Sequence, residues 1–335
     1  MLVILIAFVV AIGFSQDGNN YPIENIQKEK RRPVYLGAWV EGFWDNETKN
    51  LDTSAQKKFE KKLGKKMAFA NIYSEWTYLE NAKLQNDLEE ISHNGWVPII
   101  SSNPFFFSKC SDEGISLYKT IAEGYCDEFL SAAGENLRGY KEPIFFRFAW
   151  EMNLPDMYWS IKKTNSTPEE FKNAWRRIHD IWGEAGVENI VWVLSFNTSH
   201  PKTIPYHELY PGDDYVDWVA IDGYNWGNSY DWSNWTDFNG VFRNSYNELT
   251  KISDKPMMLS EVNSAEVGGD KAAWLEDMMV EQIPNNFPEI EMIVFFNENK
   301  SQGERVDWRI EKSSEYISAV QKGFENDIYQ SSYPY

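Results

Sequence analysis

Two glutamates stand where paired-carboxylate chemistry could be built: Glu151, directly after the apolar run PIFFRFAW (143–150), and Glu261, near the end of PMMLSEV (256–262). Cleavage of a glycosidic bond needs such a pair. One carboxyl donates a proton to the leaving oxygen, while the other, ionised, attacks the sugar carbon or activates water. Burial and mutual repulsion push the two pKa values apart and so assign the roles. Taken singly, each glutamate also reads as a solvated loop residue or as the partner of a cation such as Arg147, like most of the 51 acidic residues. The pair stands out because both members close on sequence that should be buried.

The elements that would position them are eight short apolar runs: VYLGAW (34–39), MAFANIY (67–73), WVPIIS (96–101), PIFFRFAW (143–150), IVWVLSF (190–196), DWVAIDGY (217–224), PMMLSEV (256–262) and EMIVFF (291–296). Nearly continuous apolar character over such lengths marks parallel strands covered on both faces. Amphipathic stretches lie between them, at about 81–94, 118–134, 240–252, 270–282 and 311–323. The clearest helix begins at Thr167, an N-cap followed by Pro168 and by Glu170 in the capping-box place, with Phe171, Trp175, Ile178, Ile181 and Trp182 on one stripe. This alternation predicts an α/β fold, a (β/α)8 TIM barrel forming a single catalytic domain over 34–325. A doubly wound open sheet is the alternative, but Gly37 is followed by Ala38, Trp39 and Val40, so a glycine-rich dinucleotide fingerprint is missing.

In such a barrel the active site gathers at the C-terminal ends of the strands. Trp39 and Glu41, Ser101 to Asn103, Arg147, Trp150, Glu151, Asn197, Asp222, Tyr224, Asn225, Glu261, Asn263 and Asn297 to Asn299 stand at those ends. Strands four and seven lie on opposite sides of the mouth, which lets Glu151 and Glu261 face each other. Trp39, Trp44, Trp76, Trp159 and Trp226 flank strand ends and are candidates for stacking on sugar rings, with packing as the alternative for each. Arg147 reads as a residue of the mouth that fixes a carboxylate, or as a barrel-core ion pair; Asn197 could bind a sugar hydroxyl.

Composition narrows the partners. A net charge of −19 disfavours phosphate backbones and anionic membranes, so no nucleic acid and no stable membrane insertion are expected. Aromatic residues reach 16 %, which suits a cleft for flat apolar sugar faces as well as core filling. The four histidines are scattered and there is no Cys/His cluster, so no metal and no cofactor are expected. The start, MLVILIAFVVAIGFS (1–15), reads as a signal peptide without a positive leading region, or as an uncleaved anchor. Residues 16–33 are polar and aperiodic and read as a linker. Secretion follows from the first reading. In an exported protein Cys110 and Cys126 would pair; otherwise they are two free thiols.

Four segments in order resemble glycoside hydrolase family 26, whose best-known members are β-mannanases: FRFAWEMN (146–153), YPGDDYVDWVAIDGYN (210–225), KPMMLSEVNS (255–264), and FFNENK (295–300) with DWR (307–309). The resemblance implies a retaining double displacement, with Glu151 as acid/base, Glu261 as nucleophile and Tyr224 orienting the nucleophile through its hydroxyl. It implies a polysaccharide or oligosaccharide substrate and a monomer, with β-mannan as first substrate and mixed-linkage β-glucan or β-1,3-xylan next. The chain departs from the pattern at Trp150, where the family usually has His, and at Phe296, where many members carry Trp. Tyr158 and Trp159 stand near the place of a Gly-x-Trp that often follows Met-Asn. Trp150 is also what keeps the alternative open, a carbohydrate-binding protein on an inactivated barrel.

Overall fold

The computed structural model describes residues 31–45, 47–104, 110 and 115–335. The expected signal segment and residues 16–30 of the expected linker lie outside the described residues.

Eight parallel strands close on themselves: β1 (Val34–Val40), β2 (Phe69–Glu75), β3 (Val97–Asn103), β4 (Ile144–Phe148), β5 (Ile190–Asn197), β6 (Trp218–Asn225), β7 (Met257–Ser264) and β8 (Ile290–Asn297). Each pairs with the next, and β8 returns to β1 from Tyr35 opposite Met292 to Val40 opposite Asn297. The eight apolar runs are these strands, so the chain is a (β/α)8 barrel. Around it run α1 (Thr53–Leu63), α2 (Leu84–His93), α3 (Leu117–Ala122), α4 (Asp127–Gly139), α5 (Pro168–Glu184), α6 (Phe238–Ile252), α7 (Lys271–Glu276) and α8 (Ser314–Gly323). The start of α5 is as read from sequence: the Thr167 hydroxyl accepts from the Glu170 amide and the Glu170 carboxylate accepts from the Thr167 amide.

Three elements differ from the sequence reading. α1 was not anticipated, because TSAQKKFEKKL offers few apolar anchors, of which Phe59 and Leu63 are buried. The stretch 118–134 forms two helices rather than one, with the break at Gly124 (φ 91°) and with Cys126 joined to Cys110 by a disulfide. The stretch 270–282 leaves α7 for a wider π-type coil over Asp277–Asn286, which holds Pro284. Past residue 325, Tyr329–Gln330 pairs beside Val34 and Tyr35, and Tyr333 packs edge-on against Tyr35, Phe69 and Phe145 at the bottom of the barrel.

The barrel interior is layered, as expected of inward-facing residues at every second position. Tyr35, Phe69, Ile99, Phe145, Val193, Ala220, Met258 and Met292 fill the lower part. Above them the filling turns polar: Asn71, Ser101, Arg147, Ser195, Asp222 and Ser260 are all buried. The strands' ends then open as the mouth. One irregularity places the site. Between β6 and β7 the register shifts, so that Ile221 is opposite Leu259 but Asp222 is opposite Glu261. Ser260 is the extra residue of this bulge. Strict alternation would send Ser260 and Glu261 to opposite faces. With the bulge, both point inward: Ser260 Oγ donates to Asp222 Oδ1 at 2.5 Å, and Glu261 reaches the mouth.

α6 approaches β6 closely because residue 223 has no side chain. A Cβ there would lie 2.4 Å from Cε1 of Phe242 and 2.8 Å from Cγ2 of Thr198. Gly223→Ala is expected to destabilise the protein by about 1–3 kcal/mol through overpacking, measured as a fall in the urea midpoint with an unchanged m-value.

Candidate active site

Glu151 and Glu261 both face a cavity of about 560 Å³ at the C-terminal mouth of the barrel, lined also by Trp39, Tyr73, Trp150, Trp159, Asn197, Tyr224, Trp226 and Phe296. Carboxylate oxygens of Glu151, Asp222 and Glu261 lie within 4.8 Å of one another. Glu151 is 8 % exposed and Glu261 6 %. The two glutamates therefore converge on one open pocket while most of each side chain is out of water.

Glu261 is held by three donors. Tyr73 gives its hydroxyl to Oε1 at 2.6 Å, Tyr224 gives its hydroxyl to Oε2 at 2.5 Å, and Arg147 Nη2 is 3.3 Å from Oε1. Burial, and then the nearby carboxylate, push both tyrosine hydroxyls well above their ordinary pKa, so they stay donors. Asp222 sits one layer below. Its oxygens accept from Arg147 Nη2 at 2.7 Å, from Ser195 and from Ser260. Arg147 completes the set by donating to the hydroxyls of Ser101 and Ser195. Burial opposes its charge, but Asp222 and Glu261 hold it firmly protonated.

Glu151 differs in having few donors. Asn197 Nδ2 gives one hydrogen bond to Oε1 at 2.6 Å. Burial, followed by repulsion from Asp222 and Glu261, raises its carboxyl well above the usual range, and the Asn197 bond only partly opposes this. Its backbone is unusual too. Ala149 (φ 50°) and Glu151 (φ 56°) are left-handed, a conformation costing on the order of 1 kcal/mol or more for a side-chain-bearing residue. The turn is tied down where the Ala149 amide donates to Ser102 O and the Glu151 amide to Ser195 O. The fourth strand thus ends by curling its glutamate back over the mouth.

The other expected residues are distributed as follows. Trp150 and Trp159 pack with ring centres 4.4 Å apart, and the Trp159 indole donates to the Trp150 carbonyl. Asn197 is oriented by Asn153, which accepts from its amide and donates to its carbonyl. Trp226 lies 5.7 Å from Tyr224, and both meet Trp308. Trp39 lines the cavity and gives its indole N–H to Glu298 at 2.8 Å. Two of the stacking candidates are elsewhere: Trp76 is buried on Phe129 and Phe148, and Trp44 is buried against Tyr78. Arg147, read either as a mouth residue that fixes a carboxylate or as a barrel-core ion pair, is placed by the structure in the core. It is fully buried beneath Glu261 and Asp222, does not line the cavity, and acts on the carboxylates. Tyr73 was not singled out from sequence; its signal is its place as the last residue of the second apolar run. Glu298 and Lys300, both within the segment FFNENK, and Glu304, which lies outside every quoted segment, also line the cavity.

A closed β/α barrel with two buried glutamates facing one another across its mouth has the makings of a glycoside hydrolase. The chain belongs to glycosyl hydrolase family 26, whose model matches residues 109–291. It is 30 % identical over 291 residues to Endoglucanase H of Acetivibrio thermocellus; the match covers 86 % of this chain but 30 % of that protein, so the chain spans less than a third of this relative's length. In fold it resembles the catalytic domain of a Bacillus sp. endo-β-1,4-mannanase (TM-score 0.63, 17 % identity, 89 % of this chain and 87 % of that one). A Bacteroides ovatus β-mannanase is similar in the same way (TM-score 0.62, 16 % identity, 90 % of each chain). The chain is thus a member of a glycoside hydrolase family, related to part of a protein named an endoglucanase and similar in fold to mannanases.

Arg147 is the only cation within reach of both buried carboxylates among the described residues, so its removal should be costly. Arg147→Met is expected to destabilise the protein by about 3–5 kcal/mol, because it removes the cation that opposes the burial of Asp222, a carboxyl already pushed up to about 8, and leaves that acid without its strongest partner in the barrel. Chemical denaturation of the variant at neutral pH checks this, and a loss below about 1 kcal/mol would show that the ion pair does not hold the site together.

Proposed function

We propose that the chain is a retaining hydrolase of a β-linked polysaccharide, with Glu261 as nucleophile and Glu151 as acid/base. The observation that carries this reading is the short gap between the two carboxyls. Oxygens within 4.8 Å suit the roughly 5–5.5 Å spacing of retaining enzymes and leave no room for the water an inverting enzyme places between its carboxyls.

In the first step an oxygen of Glu261 attacks the anomeric carbon as the glycosidic C–O bond breaks. The proton of Glu151 goes to the leaving oxygen. In the second step Glu151, now ionised, takes a proton from water, and the resulting nucleophile displaces Glu261 from the sugar. Two inversions leave the anomeric configuration unchanged. Tyr73 and Tyr224 fix the Glu261 carboxylate between them, and Arg147 balances its charge from below. The environment of Glu151 favours the protonated acid that the first step requires.

For the sugar, β-mannan is the first expectation from the motif resemblance. The relative matched at 30 % identity is named an endoglucanase, whereas the mannanases are related at 14–17 %. The match covers only 30 % of that protein, so this supports testing mixed-linkage β-glucan beside β-mannan, with β-1,3-xylan next. The apolar run at 1–15 supports export, and the disulfide agrees with an oxidising compartment. We take the catalytic domain to extend from residue 34 into the C-terminal segment. Among the described residues no helix is long and apolar enough to cross a membrane.

Glu261→Ala is expected to abolish hydrolysis, and Glu151→Ala to lower kcat by about 10²–10⁴-fold. Azide should restore turnover of the Glu151 variant on an activated aryl glycoside and yield a β-glycosyl azide. Full activity in either variant, or a first product of inverted configuration by proton NMR, would overturn the assignment.

The pH profile has a definite sign. The acid must hold its proton, so kcat/KM falls as pH rises through the raised pKa of Glu151. The Asn197 hydrogen bond stabilises the charged form. Its loss in Asn197→Ala should move the alkaline limb to higher pH while lowering the maximum. A limb that stays in place or moves to lower pH would contradict the role given to Glu151.

A further inference from the structure

The aromatic wall of the cavity continues outside it. Tyr224, bonded to Glu261, is followed by Trp226 with ring centres 5.7 Å apart. Trp226 is followed at another 5.7 Å by Trp232, which lies outside the cavity and is 67 % exposed. Trp232 stacks on Tyr230 with ring centres 5.1 Å apart and planes only 14° from parallel. One face of the indole is therefore covered and the exposure belongs to the other face and the edges.

A large exposed apolar side chain is normally a cost to solubility, and its loop would be expected to move. This loop is built to stay. Tyr230 donates its hydroxyl to the carbonyl of Glu304, a cavity residue, at 2.7 Å, and the Arg305 guanidinium lies 5.3 Å from the Tyr230 ring. Asn225 accepts from the amides of Gly227 and Thr236, and Asn228 accepts from the Trp235 amide. At Gly227 (φ 53°) a Cβ would sit 2.0 Å from the carbonyl oxygen of Val267, so the loop lies directly on its neighbour. The result is a braced, exposed ring next to the active-site aromatics, one ring beyond Trp226.

We propose that Trp232, backed by Tyr230, is an outer subsite that stacks on a pyranose unit of the polysaccharide, beyond the units held over Glu151 and Glu261. A pyranose offers an apolar face of C–H groups that matches an indole in size, and stacking needs no particular hydroxyl pattern. The subsite makes the protein favour long chains over short ones. The inference rests on the hydrolase reading for its substrate class but not for its geometry.

The test compares wild type, Trp232→Ala and Trp232→Phe on mixed-linkage β-glucan and galactomannan polymers and on chromogenic aryl β-disaccharides of glucose and mannose. Melting temperature serves as the fold control. Trp232→Ala should lower the ratio of polymer to disaccharide kcat/KM by about five- to tenfold, mainly through KM, and Trp232→Phe should recover most of it. Electrophoresis through gels containing each polymer reads binding without catalysis, and retardation of the wild type should be lost in Trp232→Ala. An unchanged ratio, an equal loss on polymer and disaccharide, or no retardation of the wild type by either polymer overturns the subsite. Retardation that depends on Trp232 in a protein without hydrolytic activity would keep the subsite and sink the hydrolase reading instead.

Discussion

Everything at the mouth of this barrel follows from burying three carboxylates with one guanidinium. Glu151, Asp222 and Glu261 bring oxygens within 4.8 Å of one another, and Arg147 is the cation placed among them. At that distance, with an effective dielectric constant of about 20, two carboxylate charges repel by roughly 3.5 kcal/mol. One arginine cannot offset three negative charges. The cluster lowers its energy by holding protons: burial raises the Glu151 carboxyl well above the usual range and pushes Asp222 up to about 8, and Glu151 has the weakest support as an anion. Asp222 has Arg147 at 2.7 Å and two serine hydroxyls, Glu261 has two tyrosines and Arg147, and Glu151 has Asn197 alone. The same imbalance that makes the site expensive to fold gives the proposed acid and the proposed nucleophile different surroundings.

The barrel meets this constraint with two local departures from regular strand geometry. At β7 the bulge at Ser260 turns two consecutive residues inward, so Asp222 gains a hydroxyl donor while Glu261 is lifted toward the opening. At the end of β4, two left-handed residues carry Glu151 back over the mouth toward Glu261. Neither the inward alternation of a regular strand nor an ordinary β-to-α turn would bring the carboxylates of strands four and seven so close. Strain is kept where backbone hydrogen bonds to Ser102 and Ser195 can hold it, and the layers below stay apolar and regular.

The fold was legible because its signal is periodic. Eight apolar runs, each too long and continuous for a half-exposed strand, could satisfy their two covered faces only in a parallel sheet wrapped by helices. The glutamates were legible because they end such runs. What the sequence did not disclose depends on direction rather than on position. Trp76 and Trp39 both flank strand ends, yet one ring turns into the helix layer against Phe129 and the other into the mouth toward Glu298. Arg147 looked like a residue of the mouth, but the alternation that places it inward also places it one layer too deep to meet a ligand. Tyr73 was hidden for the opposite reason: a tyrosine closing an apolar run reads as packing until its hydroxyl is seen on Glu261. The bulge at Ser260 has no compositional mark at all.

The wall around the carboxylates constrains what can enter. Next to Glu151, Trp150 presents a ring, with Trp159 and Tyr73 against it. Trp226, Phe296 and Trp39 continue the lining, and the Trp39 indole N–H is already engaged by Glu298. Under the proposed function, this side of the cleft offers a sugar flat apolar rings more than hydrogen-bonding groups. Charge acts in the same direction. Glu298 and Glu304 join Glu151 and Glu261 at the cavity, and Lys300 lies within 3.7 Å of both rim glutamates, so its charge is shared with them. A chain bearing uronic acids would bring further negative charge into a cleft with little to offset it. The proposed substrate, a neutral β-linked polysaccharide, meets both conditions at once.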